Sequence, residues 1–168
     1  KSTIMIRKGE DIDVLALQTY LHEHNVTSGD IRIEQFQSGY SNLTYLLRCR
    51  EAEYVLRRPP NGANIKSAHD MGREFKALAL LKPVYNKVPN PIIYCEDESI
   101  IGTPFYVMER VHGIILRSSP PMGMSLTPSL MMAISENVID NLAALHLLDL
   151  HSTGLIELGK PEGYVTRQ

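Results

Sequence analysis

Phe36-Gln37-Ser38-Gly39-Tyr40-Ser41-Asn42-Leu43-Thr44-Tyr45, with Tyr54-Val55-Leu56-Arg57-Arg58 close behind, is the stretch on which the reading of this chain turns. It describes a strand, a tight polar turn, a second strand, a short reversal and a third strand. Ser38, Gly39, Ser41 and Asn42 are small residues that present backbone N–H groups. They let the main chain lie close over an anion such as a phosphate chain. The third strand ends in two arginines, so a cationic strand would lie beside that turn. The same residues also make ordinary hairpin turns, and spacing alone leaves both readings standing.

Upstream, Ile31, Ile33 and Gln35 alternate with Arg32, Glu34 and Phe36, which gives the period of two of a half-buried strand. Residues 10–24 carry a partial helical stripe of Ile12, Leu15, Leu17 and Leu21. Glu10, Asp11 and Asp13 stand at its N-terminal end, where negative charge favours a helix. Downstream, Thr44 to Arg50 is a second strand and Glu51-Ala52 its reversal. Glu53 to Arg58 is the third strand, stopped by Pro59-Pro60.

A helix is expected over Ala68 to Leu81, with an inward stripe of Met71, Phe75 and Leu78. Glu74 adjoins that stripe. Either it sits at the edge and reaches water, or it faces in and is held by a cation, for which Arg57 is the natural candidate. Removing one partner of a buried pair costs about 3–5 kcal/mol, so an inward carboxylate requires one. Further on, Ile92 to Cys95 is a strand, Glu96 to Ser99 an exposed turn and Ile100-Ile101 its return. Phe105 to Met108 is an apolar strand. Thr127-Pro128 starts a long helix, with Thr as N-cap and Pro at the first helical position, running to about Asp149. Its stripe of Leu130, Ile134, Val138, Leu142 and Leu145, widened by Met131, Ile139 and Leu148, asks for packing on more than one side. His151 to Gln168 is rich in Gly and cannot form a packed layer. The helix is therefore expected to be covered by other subunits, as in a homodimer, or by protein outside this chain.

The 168 residues are enough for a sizeable core, and 43% hydrophobic with 21% charged residues is ordinary for a globular domain. The net charge of −2 advertises neither nucleic acid nor an anionic membrane as a partner. No apolar run is long enough to span a bilayer. Cys49 and Cys95 lie in strand-like stretches and are expected to be free thiols in a reducing, cytoplasmic compartment. The first residue is Lys1, so the natural N-terminus is expected upstream.

Taken in order, several motifs resemble the aminoglycoside phosphotransferase and choline kinase family, a branch of the protein-kinase-like fold. They are Ser38 to Leu47, Tyr54 to Pro60, Ser67 to Met71, Arg73-Glu74, Val88-Pro89, Gly102 to Glu109, His112-Gly113 and Leu142-Ala143-Ala144-Leu145-His146. The pattern is most similar to the kinase-like domain that accompanies acyl-CoA dehydrogenase modules, and it covers about residues 10–168. The resemblance implies an α+β fold. Residues 1–107 would form a nucleotide-binding small lobe with a five-stranded antiparallel sheet, one helix and a leading helix. Residues 108–113 would form the hinge, and residues 114–168 the truncated start of a helical large lobe.

Roles follow from the same resemblance. Ser38, Gly39, Tyr40, Ser41 and Asn42 would form the loop over the phosphates, although one glycine departs from the protein-kinase G-x-G-x-x-G pattern. Arg57 takes the place of the strand lysine and Glu74 that of the helix glutamate that holds it, which favours the inward reading. Arg58 would face the other way. Val55 would pack on the adenine and Met108 guard the back of the pocket. Main-chain groups of Glu109 and Val111 would bind the adenine edge, leaving the side chains there weakly constrained. His146, His112 and His69 are expected to be structural or exposed.

The implied function is ATP-dependent transfer of the γ-phosphoryl group to a small-molecule hydroxyl, with Mg²⁺. A hydroxylated acyl-CoA or another metabolite stands beside an aminoglycoside as acceptor. The His-Gly-Asp…Asn segment and the later Asp that supply the catalytic base and the metal ligands are not found; His112-Gly113 is followed by Ile114. These 168 residues alone are therefore expected to bind nucleotide weakly at most and not to transfer phosphate. The alternative is a non-catalytic nucleotide-binding or interaction module of pseudokinase type.

Overall fold

The computed structural model describes residues 3–37, 42–50, 52–62, 70–116, 120–159 and 163. Six strands form one antiparallel sheet: β1 (Thr3–Ile4), β2 (Arg32–Phe36), β3 (Leu43–Arg48), β4 (Glu53–Arg58), β5 (Pro91–Cys95) and β6 (Phe105–Glu109), in the order β1-β2-β3-β4-β6-β5. This is the expected α+β sheet with one strand more. β1 adds only two residues to the edge, too few to show a period, and pairs Thr3 with Phe36 and Ile4 with Gln35.

The alternation read from the sequence divides the sheet into two faces. One face carries Ile31, Leu43, Tyr45, Leu47, Leu56, Phe105 and Val107, all buried beneath helix α1 (Val14–Glu23). Leu17 and Leu21 of that helix are fully buried, and each such side chain contributes roughly 1.5–3 kcal/mol. Asp13 caps α1, its Oδ1 accepting from Ala16 N at 3.0 Å. The helix therefore starts later than expected. Leu15 points to solvent, while Glu10 and Asp11 precede the helix.

The opposite face carries a smaller cluster of Phe36, Leu46 and Val55, with Met108 packed against it. Helix α2 (Met71–Leu81), capped by Asp70, flanks this face and stacks Phe75 near Tyr94 and Tyr106. Between β5 and β6 the chain does not return as a strand: Glu98–Ile101 is a short helix, α3. Asp97 Oδ1 caps it by accepting from Ser99 N at 2.9 Å. Gly102 ends it at φ 84°, a backbone conformation that favours glycine.

Helix α4 (Pro128–His146) begins as expected, with Leu130 N donating to Thr127 Oγ1 at 3.2 Å. None of its residues is buried; Val138 is 61% and Ile139 66% exposed. It ends three residues short of Asp149. Beyond it, a 3₁₀ turn at Leu155–Leu158 packs on α2, with Lys76 Nζ 2.7 Å from Glu157 Oε2. The described residues after α4 thus touch α2, although none of Leu155–Leu158 is buried. Tyr85, just after α2, also reaches α4, its hydroxyl donating to Asn141 Oδ1 at 2.9 Å. Among the described residues no helix is long and apolar enough to cross a membrane, and Cys49 and Cys95 are free.

Candidate functional site

Alternation along β4 places Val55 and Arg57 on the cleft face and Arg58 on the core face. The two arginines therefore meet opposite fates. Arg58 is fully buried and surrounded by acceptors. Its Nη2 donates to Glu10 O at 2.8 Å and to Tyr45 Oη at 3.1 Å, and its Nη1 donates to Asn61 Oδ1 at 2.5 Å. It is a structural cation, as its orientation predicted.

Arg57 lies in the cleft, and its Nε is 3.4 Å from Glu74 Oε2. Glu74 does not reach away to water. Asn42 Nδ2 donates to its Oε1 at 2.8 Å, and Tyr106 Oη donates to its Oε2 at 2.9 Å. The carboxylate is thus fixed by β4, β6 and the start of β3 at once. Burial pushes the Tyr106 phenol far above its usual range. Arg57 opposes that shift and Glu74 adds to it, so the phenol stays a neutral donor. Arg57 Nε is buried and makes no hydrogen bond among the described residues, although the side chain is about one-third exposed. A buried donor with only a long ion contact, on a guanidinium that opens into the cleft, suits an anionic ligand.

The cleft encloses about 520 Å³ and is lined by Phe36, Thr44, Val55, Arg57, Met108 and residues 109–115, with Lys87 and Pro89 at its rim. Its chemistry is graded. Arg57, paired with Glu74, stands at one end, apolar side chains form the middle, and residues 110–113 close the other side. Val55, Arg57, Met108, Glu109 and Val111 all line this cleft. Ser38, Gly39, Tyr40 and Ser41 lie outside the described residues. Asn42 is engaged with Glu74. β6 continues through Met108 and Glu109, so the first two residues assigned to the hinge are still strand.

Sequence reasoning missed Tyr106, Thr44 and Phe36. Tyr106 could have been found from strand period, since it lies two before Met108, whereas Thr44 enters through its register with Arg57, which the fold sets. The side chains after Met108 are also more constrained than expected. Glu109 Oε2 accepts from Asn90 N at 2.9 Å and stands 3.7 Å from Lys82 Nζ. Among the described residues no group of three or more His, Cys, Asp or Glu is placed to hold a metal ion.

Residues 32–168 match the model of a family described as the phosphotransferase enzyme family. Acyl-CoA dehydrogenase family member 11 of Rattus norvegicus is 39% identical over 173 residues, covering 100% of this chain and 22% of the rat protein. Family member 10 of Mus musculus is 38% identical, over 99% of this chain and 16% of its own length. The chain thus spans about a fifth of the length of the curated relatives it matches. Among solved structures, a Ralstonia eutropha protein provisionally described as an aminoglycoside phosphotransferase superposes with a TM-score of 0.76. It is 33% identical, and the match covers 94% of this chain and 45% of that one.

Proposed function

Because this chain belongs to the phosphotransferase enzyme family, we propose that it is the nucleotide-binding part of an ATP-dependent phosphotransferase acting on the hydroxyl of a small molecule. The observation that carries this reading is the Arg57–Glu74 pair, 3.4 Å apart, with Arg57 at the polar end of a cleft on one face of the sheet.

In this reading the adenine ring lies on Val55 and Met108. Its edge meets main-chain groups of Glu109 and Val111. The phosphates run toward Arg57, and Ser38 to Asn42 supply the proposed phosphate contacts. Arg57 binds and orients phosphate oxygens with its planar fork, and Glu74 sets the direction of that fork. Mg²⁺ bound with ATP would neutralise charge on the transferred phosphoryl group. No residue of 1–168 is assigned as a metal ligand or catalytic aspartate, so the proposal for these residues taken alone is weak nucleotide binding without turnover. Residues 1–107 act as the nucleotide lobe, 108–113 as the hinge and 114–168 as the beginning of the large lobe. The cytoplasm is the proposed compartment, and α4 the surface through which a homodimer would form.

The test uses the protein that carries this chain, supplied with labelled ATP, Mg²⁺ and hydroxylated metabolites. Phosphoryl transfer to a hydroxyl is expected, lowered at least about 100-fold by Arg57→Met. Transfer at the wild-type rate in that variant would remove Arg57 from its role. ATP binding without transfer to any acceptor would favour a non-catalytic nucleotide-binding module.

A further inference from the structure

Glu53 opens β4, toward the opposite end of that strand from Arg57. The two lie on the same face of one strand with Val55 between them, roughly 13 Å apart along the strand. Glu53 is clamped on both sides. Arg48, its register partner on β3, donates from Nη1 to one carboxylate oxygen, and Arg110, the residue after β6, donates from Nη1 to the other. His112 Nε2 stands 3.6 Å from that second oxygen. Arg48 in turn donates from Nε to Glu34 Oε1 at 2.7 Å, and the Thr3 hydroxyl donates to Glu34 Oε2. A row of alternating charge thus crosses the sheet from its edge to the segment after β6.

Exposed pairs such as Arg48–Glu34 contribute little stability. The inner pair differs: Glu53 and Arg110 are only 23% and 20% exposed, so their geometry is constrained from all sides. Arg110 also follows Met108 by two residues and so continues the cleft face, while the Glu109 side chain is held elsewhere by Asn90 and Lys82. Side chains directed to both faces therefore pin the main chain at 109–111. We propose that Glu53 and Arg110 are positioning residues. Their ion pair fixes residues 109–111 against β4 so that main-chain groups there meet the edge of a purine lying on Val55 and Met108. This inference rests on the nucleotide reading above.

The experiment titrates ATP, then UTP in competition, into the protein that carries this chain, as wild type, Glu53→Gln, Arg110→Gln and the double variant. Each single substitution is expected to weaken ATP about tenfold and UTP less than about twofold, because only the purine-edge contact loses its alignment. The double variant is expected to lose no more than the weaker single, as for two halves of one interaction. Arg110→Lys, which keeps the charge, is expected to recover part of the loss. Equal weakening of ATP and UTP would mark general loosening and overturn the proposal. So would unchanged ATP affinity in both single variants of a protein that binds ATP as wild type. A wild type that binds no ATP would instead overturn the nucleotide reading itself, and this inference with it.

Discussion

Tyr106 and Arg57 converge on the same oxygen of Glu74: the phenol donates to Oε2 at 2.9 Å and the guanidinium Nε stands 3.4 Å from it. Asn42 takes the other oxygen at 2.8 Å. One carboxylate thus ties helix α2 to three separate places on the sheet, and it sets the direction in which Arg57 enters the cleft. Replacing it with Leu leaves partly buried donors facing an apolar side chain. Glu74→Leu is expected to lower stability by about 1–3 kcal/mol. Glu74→Gln keeps an acceptor for Tyr106 and is expected to cost less. Urea unfolding of the two variants checks the order; equal losses would show that the hydrogen bonds contribute nothing.

Arg58 is expected to matter for folding and not for nucleotide. Its removal takes a donor from the carbonyl of Glu10, from the hydroxyl of Tyr45 and from Asn61 Oδ1, while the Tyr45 hydroxyl still donates to Glu10 O at 2.7 Å. Arg58→Met should lower stability by about 1–3 kcal/mol. Arg57→Met, at a side chain one-third exposed, should lower it by less than about 1 kcal/mol. Chemical denaturation of both variants tests the contrast, and similar losses would contradict the assignment of the two arginines to different faces.

Alkaline pH should unfold the protein through its buried tyrosines. Burial raises the phenol of Tyr106, and also that of Tyr45, where Arg58 opposes the shift. A folded-state value above the unfolded one, about 10, means that the folded chain holds these protons longer. The resulting stabilisation is complete below about pH 10 and is lost as pH rises through the folded values. The urea midpoint should therefore begin to fall above about pH 10, and Tyr106→Phe should flatten that fall. An unchanged slope in the variant would exclude Tyr106 as a contributor.

Helix α4 presents Val138, Ile139 and Leu142 to solvent, at 61%, 66% and 52% exposure. An apolar stripe of this width is expected to drive self-association of the 168-residue chain. Sedimentation velocity should show a concentration-dependent rise in mass, abolished by Val138→Glu with Ile139→Lys at no more than about 0.5 kcal/mol in stability. A monomer at all concentrations would contradict the expected homodimer.

Much of this fold is legible in the sequence because strands alternate. The period of two in Ile31 to Phe36 and in Glu53 to Arg58 is enough to put Gln35 and Phe36, and Arg57 and Arg58, on opposite faces, and both separations hold. Thr127-Pro128 marks the start of α4 because a cap and a pre-set φ act locally. What escapes depends on contacts distant in sequence. Whether Glu74 faces in or out is open on helix spacing, since the deciding donors, Asn42 and Tyr106, each lie 32 residues away. Two-residue β1 has no period to detect. The return expected at Ile100-Ile101 is helix because Asp97 and Gly102 cap four residues at both ends, a signal that is present but outweighed by the β-branched pair. The sequence points to Glu109 and Val111 only through their main chain, while the side chains of Glu109 and of Arg110 are engaged.

The most direct test of the nucleotide site is calorimetric titration of ATP into the protein that carries this chain, with Arg57→Met beside the wild type. Saturable binding by the wild type, weakened at least about tenfold in the variant, is the predicted result, because a charge-assisted contact to phosphate is removed while the fold is kept. Absence of saturable binding, or equal affinity in the two proteins, would contradict the assignment of this cleft to a nucleotide with Arg57 at its phosphate end.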